Sequence, residues 1–293
     1  LIDKAALKEM WKFGGNLMGF AAINYWARQV DDLLVGRLFG AAPLGVYNRA
    51  YGTMLMPLQQ VSSVVGRVMF PAMSKLQGNI VESKRICLQS LSSVALISAP
   101  LMLLLWVVAE PFIQLLYGDK WLDVVPLLKV LCFVGLFQSL GSLVGWIYMA
   151  QGRTKTMFRW GSFAALVIIV SIGVGVYLGS LQAIVNCYAV ATVLLAYPQF
   201  AIPGKYIGMS VTEVVRAVAA VVVCAALAAV AAQLSARLVA APNNALLLAL
   251  QLAVGIVTYV ALLLVFRVAA FQRVVVYAQP RLMALRPFGR RGG

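Results

Sequence analysis

The chain has 293 residues, 62% of them hydrophobic and only 11% charged, with a mean hydropathy of +0.91. Soluble domains carry about 45–50% apolar and about 25% charged residues, so these values exclude a soluble globular domain, a disordered chain and a disulfide scaffold. A net charge of +15 with no histidine removes His-based proton relays and most transition-metal sites. The fold class expected is an all-α polytopic membrane protein, because the apolar runs are long and continuous rather than alternating as barrel strands do.

Apolar runs read against breakers predict eight helices, over 9–36, 43–72, 84–117, 124–150, 156–178, 181–203, 210–236 and 245–268. The first three exceed one bilayer thickness and must tilt, kink or project. Pro57 and Pro100 are the natural kink sites in the second and third. The connections around Gly40–Pro43, Gly118–Asp123 and Gly179–Leu181 are too short to hold a soluble domain.

The basic residues sort by side of the membrane. With the N-terminus placed in the cytoplasm, 17 fall inside: Lys4, Lys8, Lys12, Lys75, Lys84, Arg85, Arg153, Lys155, Arg159, Lys205, Arg216, Arg267, Arg273, Arg281, Arg286, Arg290 and Arg291. Four fall outside (Arg37, Arg49, Lys120 and Arg237), and Arg28, Arg67 and Lys129 lie within helices. The positive-inside rule then puts both ends of this chain in the cytoplasm and accounts for the charge without nucleic acid. The stretch 271–293 reads as a basic tail at the lipid surface. The chain begins at Leu1, in an amphipathic lead-in without a signal-peptide cleavage site, and this reads as a piece of something longer.

Charged groups inside a bilayer cost about 2.5–3.5 kcal/mol each at a helix centre on the insertion scale, so polar placement is informative. On the first helix Asn16, Asn24, Arg28, Asp31 and Asp32 share one broad face, with Arg28 spaced to pair with either aspartate. That face suits either the wall of a water-filled cavity or an interfacial cluster. On the second helix Asn48, Arg49, Gln59, Gln60, Ser63 and Arg67 form a stripe opposite Met54, Leu58, Val61, Val65 and Met69. Arg67 also sits where the positive-inside rule predicts an arginine.

The last four helices are nearly all Ala, Val, Leu and Ile and read as packing or lipid-facing elements. Cys87, Cys132, Cys187 and Cys224 stand far apart in apolar runs and read as core residues. The sequence has no nucleophile elbow, zinc-protease motif or P-loop, and an enzyme is not expected.

Three stretches carry a family resemblance: NYWARQVDDLLVGRLFGAAPLGVYNRAY (24–51), MLMPLQQVSSVVGRVMFPAMSKLQ (54–77) and EPFIQLLYGDKWLDVVPLLKVL (110–131). They resemble the second lobe of polysaccharide-type flippases, the Wzx-like, colanic- or teichuronic-acid-exporter branch of the multidrug/oligosaccharidyl-lipid/polysaccharide exporter superfamily. The resemblance covers about residues 1–205 and fades in the last two helices. It implies two six-helix lobes around a cavity, of which 1–205 would be the second, 206–270 two appended helices, and the first lobe absent from this chain. It further implies alternating access in the bacterial inner membrane, moving an isoprenoid-pyrophosphate-linked oligosaccharide. Membrane lipids, a polysaccharide polymerase and export machinery would be its partners, with no cofactor beyond a proton or sodium ion as coupling cation.

Such a substrate asks for fixed positive charge at the diphosphate and amides at the sugar hydroxyls. Arg28, Arg49 and Arg67 are the candidates for the first role, and Asn24, Gln59 and Gln60 for the second. Asp31 and Asp32 would hold Arg28 or take a coupling cation. Two other readings stand beside this one. A drug/cation antiporter of the same superfamily would want acidic residues deep in an apolar cavity, whereas here they are expected at helix ends. A non-transporting membrane partner in polysaccharide assembly would need no polar stripe.

Overall fold

The structure, a computed structural model, describes residues 4–76, 79–238 and 243–273. The basic tail expected over 271–293 lies outside the described residues from 274 onward, as do the side chains of Lys4, Lys8 and Lys12. The described residues form helices and no strand. They run α1 (Lys4–Phe39), α2 (Ala41–Lys75), α3 (Ile80–Val107), α4 (Ala109–Tyr117), α5 (Val124–Gly141), α6 (Val144–Ala150), α7 (Thr154–Tyr177), α8 (Leu181–Gly204), α9 (Val211–Leu238) and α10 (Asn244–Val265), with a 3₁₀ turn at Asp119–Trp121.

The short connections read from the sequence are glycine turns. Gly40, Gly118 and Gly179 have φ of 93°, 85° and 76°, a region that strains residues with a side chain and suits glycine. Helix starts follow local chemistry. Asn79, Ser180 and Asn243 each accept a hydrogen bond from the backbone three residues on, opening α3, α8 and α10. At the start of α9 the Ser210 hydroxyl accepts from the Glu213 amide while the Glu213 carboxylate takes the Ser210 amide, a reciprocal cap.

Two of the expected helices are divided. The run over 84–117 breaks at Val108, and that over 124–150 breaks at Ser142–Leu143. Neither break contains proline, whereas Pro57 and Pro100 lie inside unbroken α2 and α3. Pro111, three residues past Val108, has no N–H to donate to the Val107 carbonyl, and Gly141 and Ser142 stand at the second break, so each has a local signal within its apolar run.

Among the described residues, six helices are long and apolar enough to cross a membrane: α3, α5 continued through α6, α7, α8, α9 and α10. That is two short of the eight expected. The other two, α1 and α2, have 36 and 35 residues, ample length at about 1.5 Å per residue. Their charges, among them Asp31, Asp32, Arg49 and Arg67, together with neutral polar residues such as Asn16, Asn24, Gln59 and Gln60, hold them below the apolarity of the rest.

Helices α1, α2, α5, α7 and α8 pack as a ring, α3 backs α2 and α5, and α9 lies along α3 with α10 beside it. Close approach depends on glycines at particular crossings. A Cβ at Gly161 of α7 would collide with the Phe20 ring of α1, and one at Gly19 of α1 would meet the Phe158 ring of α7. A Cβ at Gly175 would collide with the backbone of Ile184 in α8. Cys87, Cys132 and Cys224 are buried, Cys187 is half-buried, and all four are free, in line with the core reading.

Segments assigned to one side of the membrane meet at one end of the bundle. Lys84 of α3 pairs with Glu213 of α9 at 2.5 Å, and the Arg153 guanidinium lies 5.2 Å from the centre of the Tyr206 ring. Elsewhere Arg49 meets the turn that follows α4, and Asn244 of α10 reaches Gln114 of α4.

Candidate functional site

The ring encloses a cavity of about 250 Å³, walled by α1, α2, α5, α6, α7 and α8. Its lining is mostly apolar, with polar groups set at intervals. Asp31, 9% exposed, is the charged residue among the described lining. Its two carboxylate oxygens are engaged separately: the Tyr47 hydroxyl donates to one at 2.7 Å and the Asp32 amide to the other at 2.9 Å.

Gln138 of α5 donates at 3.3 Å to the hydroxyls of Tyr51 and Tyr188, while its own buried carbonyl oxygen has no partner among the described residues. Tyr148 of α6 is 1% exposed, and its hydroxyl likewise has no partner among them. Buried polar atoms without partners are few in folded proteins, and in a polar cavity they mark where water or a ligand group belongs.

Among the residues singled out in the sequence, Asn24 and Asp31 line this cavity. The side chain of Arg28 lies outside the described ones. Asp32 is half-buried and faces the Asn48 side chain of α2. The expectation that the acidic residues sit at helix ends fails for Asp31, which lies inside α1 and is buried against Tyr47. Periodicity puts it on a polar face; only the partner helix shows that the face turns inward.

A second group, on α2, turns outward. Gln59, Gln60, Ser63 and Arg67 are exposed, while Met54, Leu58 and Met69 on the opposite side are 0–3% exposed. The division of α2 into two faces is realised, with the polar face away from this bundle. Arg67 donates to the Ser63 carbonyl at 3.3 Å, and the Ser63 hydroxyl to that of Gln60 at 3.0 Å, so the stripe is tied along its own helix.

Arg49 occupies a third setting. Its guanidinium carbon lies 4.6 Å from the Tyr117 ring centre and 5.0 Å from that of Trp121. The two rings flank the Gly118 turn, and Tyr117 shares a 3.2 Å hydrogen bond with Thr53 on α2. Contact with the ring faces orients the guanidinium. Its N–H groups make no hydrogen bond or ion pair with a described residue. A planar cation held in this way presents parallel donors, which suits a phosphate or carboxylate. The structure therefore brings the sequence candidates together in three places rather than one: the cavity, the outward stripe and the ring-bound arginine.

Sequence reasoning missed Tyr51, Gln138, Tyr148, Tyr188, Thr192 and Gln199 in the cavity wall. Helices α7 and α8, read as packing elements, supply much of that wall. The lone amides Gln138 and Gln199 in apolar runs are a usable signal, of the same kind as Gln59 and Gln60. Tyr117 and Trp121 lie within the family-like stretch 110–131, but their contact with Arg49 is long-range and leaves no local pattern.

Residues 1–126 match a family described as polysaccharide biosynthesis protein. The chain is 32% identical over 196 residues to the teichuronic acid biosynthesis protein TuaB of Bacillus subtilis, covering 66% of this chain and 40% of that protein. It is 34% identical over 164 residues to the lipopolysaccharide biosynthesis protein WzxC of Escherichia coli, covering 56% of this chain and 33% of that protein. The chain thus spans less than half the length of these curated relatives. In fold it is similar to the lipid II flippase MurJ in an inward closed conformation, with a TM-score of 0.71 at 14% identity, over 91% of this chain and 56% of that one. In sequence the chain is thus similar over part of its length to polysaccharide biosynthesis proteins, and in fold it is similar to a flippase over nearly its whole length.

Proposed function

We propose that this chain is the second six-helix lobe, over 1–205, with two appended helices, over 206–270, of a transporter. That transporter flips an isoprenoid-pyrophosphate-linked oligosaccharide across the bacterial inner membrane by alternating access, for export of a surface polysaccharide. The observation that carries the reading is the outward polar face of α2. Two adjacent amides and an arginine, Gln59, Gln60 and Arg67, are exposed at the middle and far end of a helix in a membrane protein. Lipid is a poor environment for them, whereas a water-filled path for a glycan is a good one. The names of the relatives TuaB and WzxC support a polysaccharide as the cargo.

In this reading Arg49, Arg28 and Arg67 are the cations that engage the diphosphate, at different depths of the path, and Asn24, Gln59 and Gln60 engage sugar hydroxyls. The meeting of the Lys84 and Arg153 segments with α9 and Tyr206 at one end supports a cytoplasmic assignment for both termini of the chain. Asp31, in the cavity, takes the coupling cation, proton or sodium, and its neighbour Asp32 adds negative charge beside it. Membrane lipids surround the bundle, and a polymerase and export machinery receive the product.

A buried carboxylate in a mostly apolar cavity is also what a drug/cation antiporter of the same superfamily would use, and Asp31 is the observation that favours that reading. One experiment separates the two. The natural full-length protein is reconstituted in vesicles and assayed for flipping of a lipid-pyrophosphate-linked glycan and for efflux of a cationic dye. Glycan flipping that drops tenfold or more in Arg49→Gln at equal expression, without dye efflux, is expected. Dye efflux with no glycan flipping would replace the reading with the antiporter.

A further inference from the structure

The ring-bound arginine does not stand on α2 alone. Tyr117 and Trp121 belong to α4 and the turn after it, and that segment is held from its other side by α10. The side-chain amide of Asn244 donates to the Gln114 carbonyl oxygen at 2.6 Å, and the Gln114 amide in turn donates to Asp119 at 2.8 Å. Gln114 therefore uses both ends of its side chain to join α10 to the turn. Asp119 opens the 3₁₀ turn that carries Trp121, and Gly118, at φ 85°, sets the direction in which the turn leaves α4.

Apolar contacts follow the same route. Phe112 of α4 packs with Leu248 and Leu252 of α10 around a core that includes Leu104 and Ala232. Asn243 caps α10 through the Leu246 amide at 2.8 Å, which fixes Asn244 at the first helical position. The pair α9–α10 is anchored again along α3, where the Tyr259 hydroxyl donates to the Leu96 carbonyl at 2.8 Å and Glu213 meets Lys84.

We propose that the appended pair α9–α10 positions Arg49 by bracing the turn that supplies its two aromatic rings, with Asn244 and Gln114 as the positioning residues. The pair is then a part of the substrate-handling end of the molecule and not only a lipid-facing addition. This rests on the reading of Arg49 as a diphosphate ligand, and the test keeps the two apart.

The full-length protein in lipid nanodiscs is followed by amide hydrogen exchange, and its affinity for farnesyl pyrophosphate is measured separately. In Asn244→Asp, which keeps the shape but cannot donate, exchange across 114–123 and 45–53 is expected to rise about fivefold, the size of one lost modest hydrogen bond. Exchange across 84–96 stays at the wild-type rate, and Gln114→Leu gives the same pattern. Affinity for farnesyl pyrophosphate is expected to fall about threefold in both variants, against a tenfold or greater loss in Arg49→Gln. Wild-type exchange across both segments in Asn244→Asp and Gln114→Leu would overturn the brace. A rise spread equally over 84–96 would also overturn it, since the residues would then serve global stability. So would raised exchange with unchanged affinity in both variants beside a lost affinity in Arg49→Gln. If the brace passes by exchange and Arg49→Gln binds the pyrophosphate normally, it is the diphosphate role of Arg49 that fails.

Discussion

Helices α2 and α10 distribute their polarity in opposite ways. On α10 the polar side chain Gln251 is turned inward, 4% exposed, and apolar residues such as Ile256, Val257 and Leu264 face out. On α2 the order is reversed: Met54, Leu58 and Met69 are buried, and Gln59, Gln60 and Arg67 are outside. A helix that meets hydrocarbon keeps its polar groups inside, as α10 does. The outer face of α2 is therefore shaped for water, for a glycan or for another protein surface. Amphipathicity tells that two faces exist; only packing tells which of them is the exposed one.

The largest effect expected on this contrast comes from breaking the bundle that imposes it. Gly175→Leu forces a side chain into the Ile184 backbone at the α7–α8 crossing, at a cost of about 2–3 kcal/mol. A drop in melting temperature and in membrane yield would register it. If Gly175→Leu folds and melts like the wild type, the close α7–α8 packing is not what holds the ring.

Asp31 sharpens the contrast between inward and outward polarity. Replacing it with Leu leaves the Tyr47 hydroxyl buried without its acceptor, a loss of about 1–3 kcal/mol, whereas Asp31→Asn keeps an oxygen for Tyr47 and removes the charge. Thermal melts are expected to separate the two substitutions, and ion-gradient dependence of transport to be lost in both. Retained gradient dependence in Asp31→Asn would take the coupling role away from this carboxylate.

On the outward side the expectation is the reverse. Gln59→Leu with Gln60→Leu changes exposed residues, so stability moves by no more than about 0.5 kcal/mol, while glycan flipping falls severalfold. Stability that rises with flipping unchanged would make the face a lipid-contacting one. The smallest effect belongs to Gln251→Leu. Its buried carbonyl oxygen has no partner among the described residues, so an apolar replacement is expected to be neutral or to raise the melting temperature slightly.

The membrane class, most helix ends and the two faces of α2 are legible in the sequence because each rests on local chemistry: hydropathy, glycine turns and a period of 3.6 residues. Gly40, Gly118 and Gly179 read as connections for that reason. The breaks at Val108 and Ser142–Leu143 do not stand out within their long runs, although Glu110 and Pro111 follow the first and Gly141 and Ser142 sit at the second. Pattern finds the candidate residues but not their division among three settings. Asp31 and Arg49 sit on neighbouring helices with comparable local patterns. What distinguishes them is Tyr47 in one case and a turn from a distant part of the chain in the other.

The reciprocal seating of Phe20 over Gly161 and Phe158 over Gly19 bears on how the bundle can move. Two rings lodged in two gaps, one from each side, act as a double key between α1 and α7. Sliding either helix along the other would require withdrawing both rings together. Helices α1, α7 and α8 are thereby interlocked as one plate, since α7 also meets the Ile184 backbone of α8 at Gly175, and a change in cavity volume would fall to α2 and α5 against that plate. Asp31, carried on the plate, meets Tyr47, carried on α2, at the seam where such a shift would be felt first.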